Sequence, residues 1–384
     1  MNSYLFVLGN HRALSIAELF MRYPEAEFQV FGQDWVLVDL PGKLGQKDLD
    51  ALGGSIKIGR VIPAEEGEKP AEVLANALAK RYTGTKLEYG VSVYGMPEMQ
   101  LKTLLIGLKK VLRAADLKSR FINNNFQNIT AAQYKSIAGK GVELLVAKQG
   151  GQQWVAETVA MQDIDAYSKR DYGKPFRDMK MGMLPPKLAQ VLINLTGVSE
   201  GTLWDPFCGS GVVVMEGLLM GHPMVGSDIH AERVEGAKKN VEWLRKEFGV
   251  KAEAKLMVHD ATLPASHIFD GIASESDLGM PHSQQIRPDM LQKIMSDLDQ
   301  LYLRVFTSLK TVGRKVPVVI ALPFFRSAGG MSLDMGRTIQ SIERLGFKRT
   351  PMLPEALKGE DRFCLKYSRP DQAVGRAIYR FVLA

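Results

Sequence analysis

Residues 202–221, TLWDPFCGSGVVVMEGLLMG, limit what this chain can fold into more than any other stretch. An apolar strand ends in Asp205, a tight glycine-rich turn follows, and a helix begins at about Gly211. Gly209 and Gly211 permit positive φ and let the backbone approach a ligand closely. The new helix offers free N–H groups and the positive end of its dipole to an anion. The turn is not the dinucleotide fingerprint G-x-G-x-x-G, and no Lys-Ser/Thr follows it as in a phosphate-binding loop. The anion could instead be the carboxylate of an amino-acid-like ligand.

Two further acids sharpen this reading. The next strand, MVGSDI, ends in Asp228, about 20 residues after the turn, where an acid can accept hydrogen bonds from both ribose hydroxyls. The third, KLMVHDAT, ends in Asp260, placed to meet an adenine amino group. Each aspartate alone would be an ordinary turn residue or helix cap. Three at successive strand ends outline a nucleoside pocket along the carboxyl edge of a sheet.

The surrounding pattern agrees. A helix opens at Pro185-Pro186, carries Leu188, Val191, Leu192 and Leu195 on one face, and stops at Gly197. Strands are then expected at 202–206, 224–228, 254–258, 269–274 and 316–323, with another after Gly346. Strand and helix alternate, which argues for an α/β, doubly wound parallel sheet. The last two strands, near 362–367 and 377–383, read as an antiparallel hairpin closing it.

With 384 residues the chain has room for two or three domains. Before the sheet, residues 1–66 read as a small α+β unit, with a helix at 15–23 and a hairpin around Gly32-Gln33-Asp34. Residues 67–165 read as a second α+β unit, with a plain loop at Asn123-Asn124-Asn125. A polar, basic linker is expected at 166–186, ahead of the sheet domain at 187–384. The start of the chain lacks the features of a secretory signal, and no apolar run approaches the roughly 18 residues of a membrane span. The only cysteines, Cys208 and Cys364, suit reduced thiols in a cytoplasmic protein. The histidines show no metal-ligand spacing with them, so no metal is expected.

The formal charge of +7 is concentrated. Residues 101–190 hold 15 Lys/Arg against 7 Asp/Glu, and the rest of the chain balances at −1. Such clustering suits a polyanion; the plain alternative is a solvated face that binds nothing. The candidate phosphate contacts are Lys109, Lys110, Arg113, Lys118, Arg120 and Lys135. Arg170, Lys174 and Arg177 could either touch phosphate or pin the linker to the sheet domain.

The segments YSKRDYGKP (167–175), MLPPKLAQ (183–190) and DPFCGSG (205–211) resemble the THUMP-containing methyltransferases. Among these the chain is most similar to the archaeal and eukaryotic tRNA guanine-N2 methyltransferases acting at position ten. YLFVLGN (4–10) and LSIAEL (14–19) resemble that family's ferredoxin-like N-terminal piece, and the tail YSRPDQAVGRAIYRFV (367–382) has its character. The resemblance implies a ferredoxin-like unit, a THUMP-like RNA-binding unit and a Rossmann-like class I catalytic domain. It implies S-adenosyl-L-methionine as cofactor, held by Asp205, Pro206, Phe207, Gly209, Ser210, Gly211, Asp228, Ile229, Asp260 and Ala261. It also implies a cytoplasmic monomer that acts on tRNA or other structured RNA away from membranes, with room for a small activating subunit.

One segment departs from the family. Its members end the fourth strand with Asp or Asn, Pro, Pro and an aromatic residue, which hold the amine and stack on the base. Here FDGIASESDLG (269–279) puts Glu275 at the first position, Ser276 and Asp277 at the prolines, and Leu278 at the aromatic. Acceptors survive as Glu275 and Asp277, the candidate catalytic residues; the stacking ring would have to come from Phe207, Phe324 or Phe325. An RNA-binding protein with a degenerate catalytic loop and a DNA amino-methyltransferase are the competing readings.

Overall fold

The computed structural model describes residues 1–65, 67–177, 183–279, 288–326, 332–369 and 372–384. Two compact units result. One comprises Met1–Arg12, Tyr23–Asp50 and Gly54–Ile164; the other comprises Ala13–Arg22, Ala51–Gly53 and Asp165–Ala384.

The chain begins with β1 (Asn2–Leu8), α1 (Arg12–Arg22), β2 (Glu27–Phe31), β3 (Trp35–Leu40), α2 (Gln46–Asp50) and β4 (Ser55–Val61). Next come α3 (Pro70–Ala79), β5 (Leu87–Tyr94), α4 (Glu98–Ala114), β6 (Ser119–Phe121), α5 (Ala131–Ile137), β7 (Gly141–Gln149) and β8 (Gln152–Met161). The eight strands make one sheet in the order β2-β3-β1-β4-β8-β7-β5-β6. The α+β pieces expected at 1–66 and 67–165 therefore share a sheet, because β4 pairs antiparallel with β8. A buried ion pair reinforces the junction: Lys57 on β4 meets Glu143 on β7 at 2.5 Å, and Thr158 on β8 donates to the same carboxylate. The asparagine run is more than a loop. Asn123 bonds both the N–H and the C=O of Val91, so its side chain acts as a short continuation of the sheet beside β5.

The second unit contains α6 (Ile164–Tyr172, from Asp165 on), α7 (Pro186–Leu195), β9 (Leu203–Asp205), α8 (Val212–Leu219), β10 (Met224–Asp228), α9 (Ala231–Phe248) and β11 (Ala254–Val258). It continues through β12 (Gly271–Glu275), α10 (Pro288–Val312), β13 (Val318–Arg326), β14 (Ser332–Leu333), α11 (Gly336–Arg344), β15 (Phe347–Arg349), β16 (Leu365–Tyr367) and β17 (Val374–Leu383). Most of α1 also belongs here. The reason is polar: buried Asn194 of α7 donates to Glu18 of α1 at 2.7 Å and to the Ala51 carbonyl, and the Gly53 N–H donates to the same Glu18. A buried carboxylate requires such partners.

The main sheet path of this unit runs β11-β10-β9-β12-β13-β17-β15, with β14 beside β13 and β16 beside β17. The pairs among β9 to β13 are parallel, whereas β17 lies antiparallel between β13 and β15. The expected closing hairpin exists as β16 and β17, but β17 also inserts into the sheet. This is the Rossmann-like α/β class. The chain winds outward from β9 to β11 and then returns to the other side of β9 as β12. The connections after β9 and β12 therefore diverge and open a crevice at the carboxyl edge. Trp204, Phe269, Phe306, Phe347 and Phe381 lie in one buried cluster of this unit and anchor the strands below that edge.

The expected linker at 166–186 starts within a helix, α6, whose Tyr167 and Arg170 are buried; residues 178–182 of that linker lie outside the described residues.

Candidate functional site

A cavity of about 240 Å³ opens at the carboxyl edge, lined by Asp205, Pro206, Phe207, Gly209, Ser210, Asp228, Ile229, Asp260, Ala261, Glu275 and Asp277. Every residue expected from the sequence to hold a cofactor or do chemistry lines it except Gly211, which caps the adjoining helix. Gly211 has φ +82°, a conformation that favours glycine, and a Cβ there would lie 3.0 Å from Ala237 Cβ, a tight contact.

The acids are held in different ways. Asp228 secures the glycine-rich turn by accepting from the Gly209 N–H (3.1 Å) at Oδ2 and from the His230 N–H (2.9 Å) at Oδ1. Arg233, one turn into α9, lies 3.8 Å from that Oδ1. Asp260 accepts from the Thr262 N–H at 2.9 Å. Asp205 is only 2% exposed. Its Oδ1 accepts from Ser274 Oγ (2.6 Å) and from the Phe207 N–H (3.2 Å). Burial pushes its acid up to about 7, with Asp228 and Glu275 adding to the rise and the two hydrogen bonds opposing it.

On the fourth-strand side, Ser276 Oγ donates to the Ala321 carbonyl at 2.7 Å, and Tyr302 Oη donates to the Asp277 carbonyl. Both bonds tie this segment to its neighbours, β13 and α10. The Asp277 side chain is exposed at the mouth and, among the described residues, accepts from the Gly279 N–H at 2.8 Å. Glu275 is bonded by Arg376, which lies on β17. Residues 280–287, which follow in sequence, lie outside the described residues.

The structure narrows alternatives that the sequence left open. Phe324 and Phe325 are buried in the core and cannot stack on a ligand, which leaves half-buried Phe207 as the aromatic wall. Arg170 fits the linker-pinning alternative: it is buried against Glu216 at 2.8 Å, with its guanidinium 4.4 Å from the Tyr167 ring centroid. Lys174 is buried as well, and burial lowers its pKa. Arg177 is half-buried, 5.5 Å from the Tyr172 ring centroid. Basic residues on an amphipathic segment look the same in sequence whether they face solvent or a buried glutamate.

Met183, Leu184, His230, Arg233, His259 and Leu301 also line the wall, with Asn240 behind it, and no sequence motif marks these as site residues. Asn240 exchanges two hydrogen bonds with the Phe176 backbone (2.8 and 2.9 Å) and donates to the Ser210 carbonyl at 2.8 Å. It thereby ties the segment ahead of α7 to the glycine-rich turn. Gly236 makes room, since a Cβ there would lie 2.2 Å from the Phe176 ring. Among the described residues, no group of three or more His, Cys, Asp or Glu is placed to hold a metal, and no helix is long and apolar enough to cross a membrane.

In the first unit, Lys109, Lys110, Arg113, Lys118, Arg120 and Lys135 are all exposed. Lys109, Arg113 and Lys118 converge with Lys86, which the sequence reading left out, around a cleft of about 400 Å³. Arg120 is paired with Glu88 at 3.6 Å.

Residues 175–316 match the family model UPF0020, described as RMKL-like, methyltransferase domain. The chain is 34% identical over 163 residues to a tRNA (guanine(10)-N2)-dimethyltransferase of Pyrococcus abyssi, a match covering 41% of this chain and 42% of that protein. It is 42% identical over 74 residues to the protein of the same name from Methanothermobacter thermautotrophicus, covering 19% and 21%. The matches thus span less than half the length of these curated relatives. The crystal structure of TrmN from Thermus thermophilus shares the fold, with a TM-score of 0.53 at 14% identity over the whole of both chains.

Proposed function

We propose that this chain is a cytoplasmic, S-adenosylmethionine-dependent tRNA methyltransferase acting on an exocyclic base amine, with guanine N2 as the acceptor. The observation that carries the reading is the meeting of three strand-end aspartates and two fourth-strand carboxylates around one cavity at the switch point of the sheet.

The donors and acceptors fit the cofactor. Asp228 retains lone pairs for ribose hydroxyls after accepting its two backbone N–H groups, and Asp260 lies at the next strand end for an adenine amine. The Gly211-capped N-terminus of α8 suits a carboxylate. Asp205 Oδ2 accepts no hydrogen bond among the described residues and suits an ammonium. When bound, the cofactor supplies an electrophilic methyl group on its sulfonium. The chain's own contribution is positioning and proton removal. A base amine conjugated to its ring is a weak nucleophile. Glu275 and Asp277 accept its N–H bonds, hold the lone pair toward the methyl, and take up the proton, while Phe207 supplies a face for the base.

The region ahead of the catalytic sheet serves as the RNA platform, with a ferredoxin-like part at 1–66 and a THUMP-like part at 67–165. The exposed cations Lys109, Lys110, Arg113 and Lys118 neutralise phosphate there. The deciding experiment is transfer of labelled methyl from S-adenosylmethionine to bulk tRNA by wild type, Asp228→Ala and Asp277→Ala. Label with wild type and its loss in both variants is the expected result. Cofactor binding without label on tRNA, ribosomal RNA or DNA would overturn the enzyme reading in favour of an RNA-binding role.

A further inference from the structure

A buried ion pair forms one wall of the acceptor side, and its cation comes from an element that the cofactor does not need. Glu275 ends β12 and lines the cavity. Arg376 lies on β17, and its Nε donates to Glu275 Oε1. The two side chains are 15% and 6% exposed. They reach each other across β13, where Glu275 is in register with Ala321 and Arg376 with Pro323. Ala321 and Pro323, two residues apart, share a face, and their compact side chains leave room for the pair to span it. The guanidinium is further backed by Tyr367 of β16, whose ring centroid is 5.7 Å from Arg376 Cζ.

Such a pair is a poor device for stability alone. Desolvating both charges consumes most of their attraction, and apolar side chains of similar volume would serve the sheet as well. Its value lies in where it leaves the carboxylate. We propose that Arg376 is a positioning residue that orients Glu275 as the hydrogen-bond acceptor for the target amine. This rests on the methyl-transfer reading above and assigns part of the acceptor site to a strand far along the chain.

The charged and titratable groups around Glu275 explain why it needs the arginine. Asp205 on β9 and Asp277 on the same loop are acidic, Tyr302 comes from α10, and Arg376 on β17 is the cation paired with it. Burial pushes the Glu275 acid up, and Arg376 opposes the rise. Without the arginine, Glu275 would take up a proton beside Asp205. A protonated carboxyl oxygen offers a donor where the amine needs an acceptor.

The test compares Arg376→Met and Arg376→Lys with wild type by three readouts. These are calorimetric Kd for S-adenosylmethionine, the kcat and KM for tRNA against pH, and the titration of the ¹³C-labelled Glu275 carboxyl, assigned with Glu275→Gln. Expected for Arg376→Met is a kcat lower by about 10- to 100-fold, with cofactor Kd within about twofold of wild type. Its acid limb of kcat, and its Glu275 titration, move to higher pH. Arg376→Lys restores most of both. An unchanged kcat and an unmoved Glu275 titration overturn the proposal. So does a lysine variant as impaired as the methionine one, with cofactor affinity and thermal stability lost in parallel, since that is a purely structural role. If wild type transfers no methyl at all, the enzymatic reading fails. The Glu275 titration then still decides whether Arg376 governs that carboxylate: an upward shift in Arg376→Met supports it, and no shift overturns it.

Discussion

Asp205 should make cofactor binding depend on pH in a way that identifies what it touches. In the free protein its acid is pushed up to about 7, chiefly by burial, because the carboxylate sits 2% exposed at the end of β9. A ligand ammonium beside it favours the ionised form, so affinity should fall as pH drops through 7. Between pH 8 and pH 5 the ionised fraction falls from about 0.9 to about 0.01, an energetic loss of about 2.7 kcal/mol and a rise in Kd of about 100-fold. At pH 6, binding should release about 0.9 proton per ligand, measurable by calorimetry in two buffers of different ionisation enthalpy. S-adenosylhomocysteine, which keeps the amino group but not the sulfonium, should show the same slope; adenosine should show none. The stability of the free protein has the opposite sign. A folded-state pKa above the unfolded value favours the fold below about pH 4, and that contribution is lost as pH rises through about 7. Asp205→Asn should flatten both dependences. A Kd that varies less than about twofold from pH 5 to 8 without proton release, or an Asp205→Asn variant with the wild-type slope, refutes the reasoning.

Three further outcomes separate structural from binding roles. Arg170→Met strands Glu216 in the core and should cost about 3–5 kcal/mol of stability by denaturant unfolding while leaving RNA affinity intact. The triple change of Lys109, Arg113 and Lys118 to glutamine should leave the fold stable but reduce the salt slope of RNA binding by about 2–3, as filter binding at several salt concentrations would show. Gly211→Ala forces a side chain into φ +82° and against Ala237, and should cost about 1–2 kcal/mol in a thermal melt. The cofactor should also rescue less of that loss than it does for wild type.

What could be read from the sequence was whatever depends on neighbours in the chain. The glycine-rich turn, the strands ending in Asp205, Asp228 and Asp260, and the helix after Gly211 follow from local rules of turn chemistry and burial period. In a parallel sheet those strand ends must fall on one edge, so the half of the cavity lined by Asp205, Asp228 and Asp260 was legible in the sequence. The exposed basic residues on α4 were legible for the same reason, since Leu101, Leu105, Leu108 and Leu112 bury one face and leave the cations on the other. The acceptor half was different. Arg376 stands 101 residues beyond Glu275, and only the antiparallel insertion of β17 beside β13 brings them together. Nothing near Arg170 signals that it is buried against Glu216, and nothing near Phe324 and Phe325 says that both rings face the core. The union of the first unit's two halves rests on the pairing of β4 with β8 and on Lys57 meeting Glu143, partners 86 residues apart. Local pattern decides which elements form and what ends them; tertiary packing decides which buried charges meet, and here that choice shapes the acceptor side of the site.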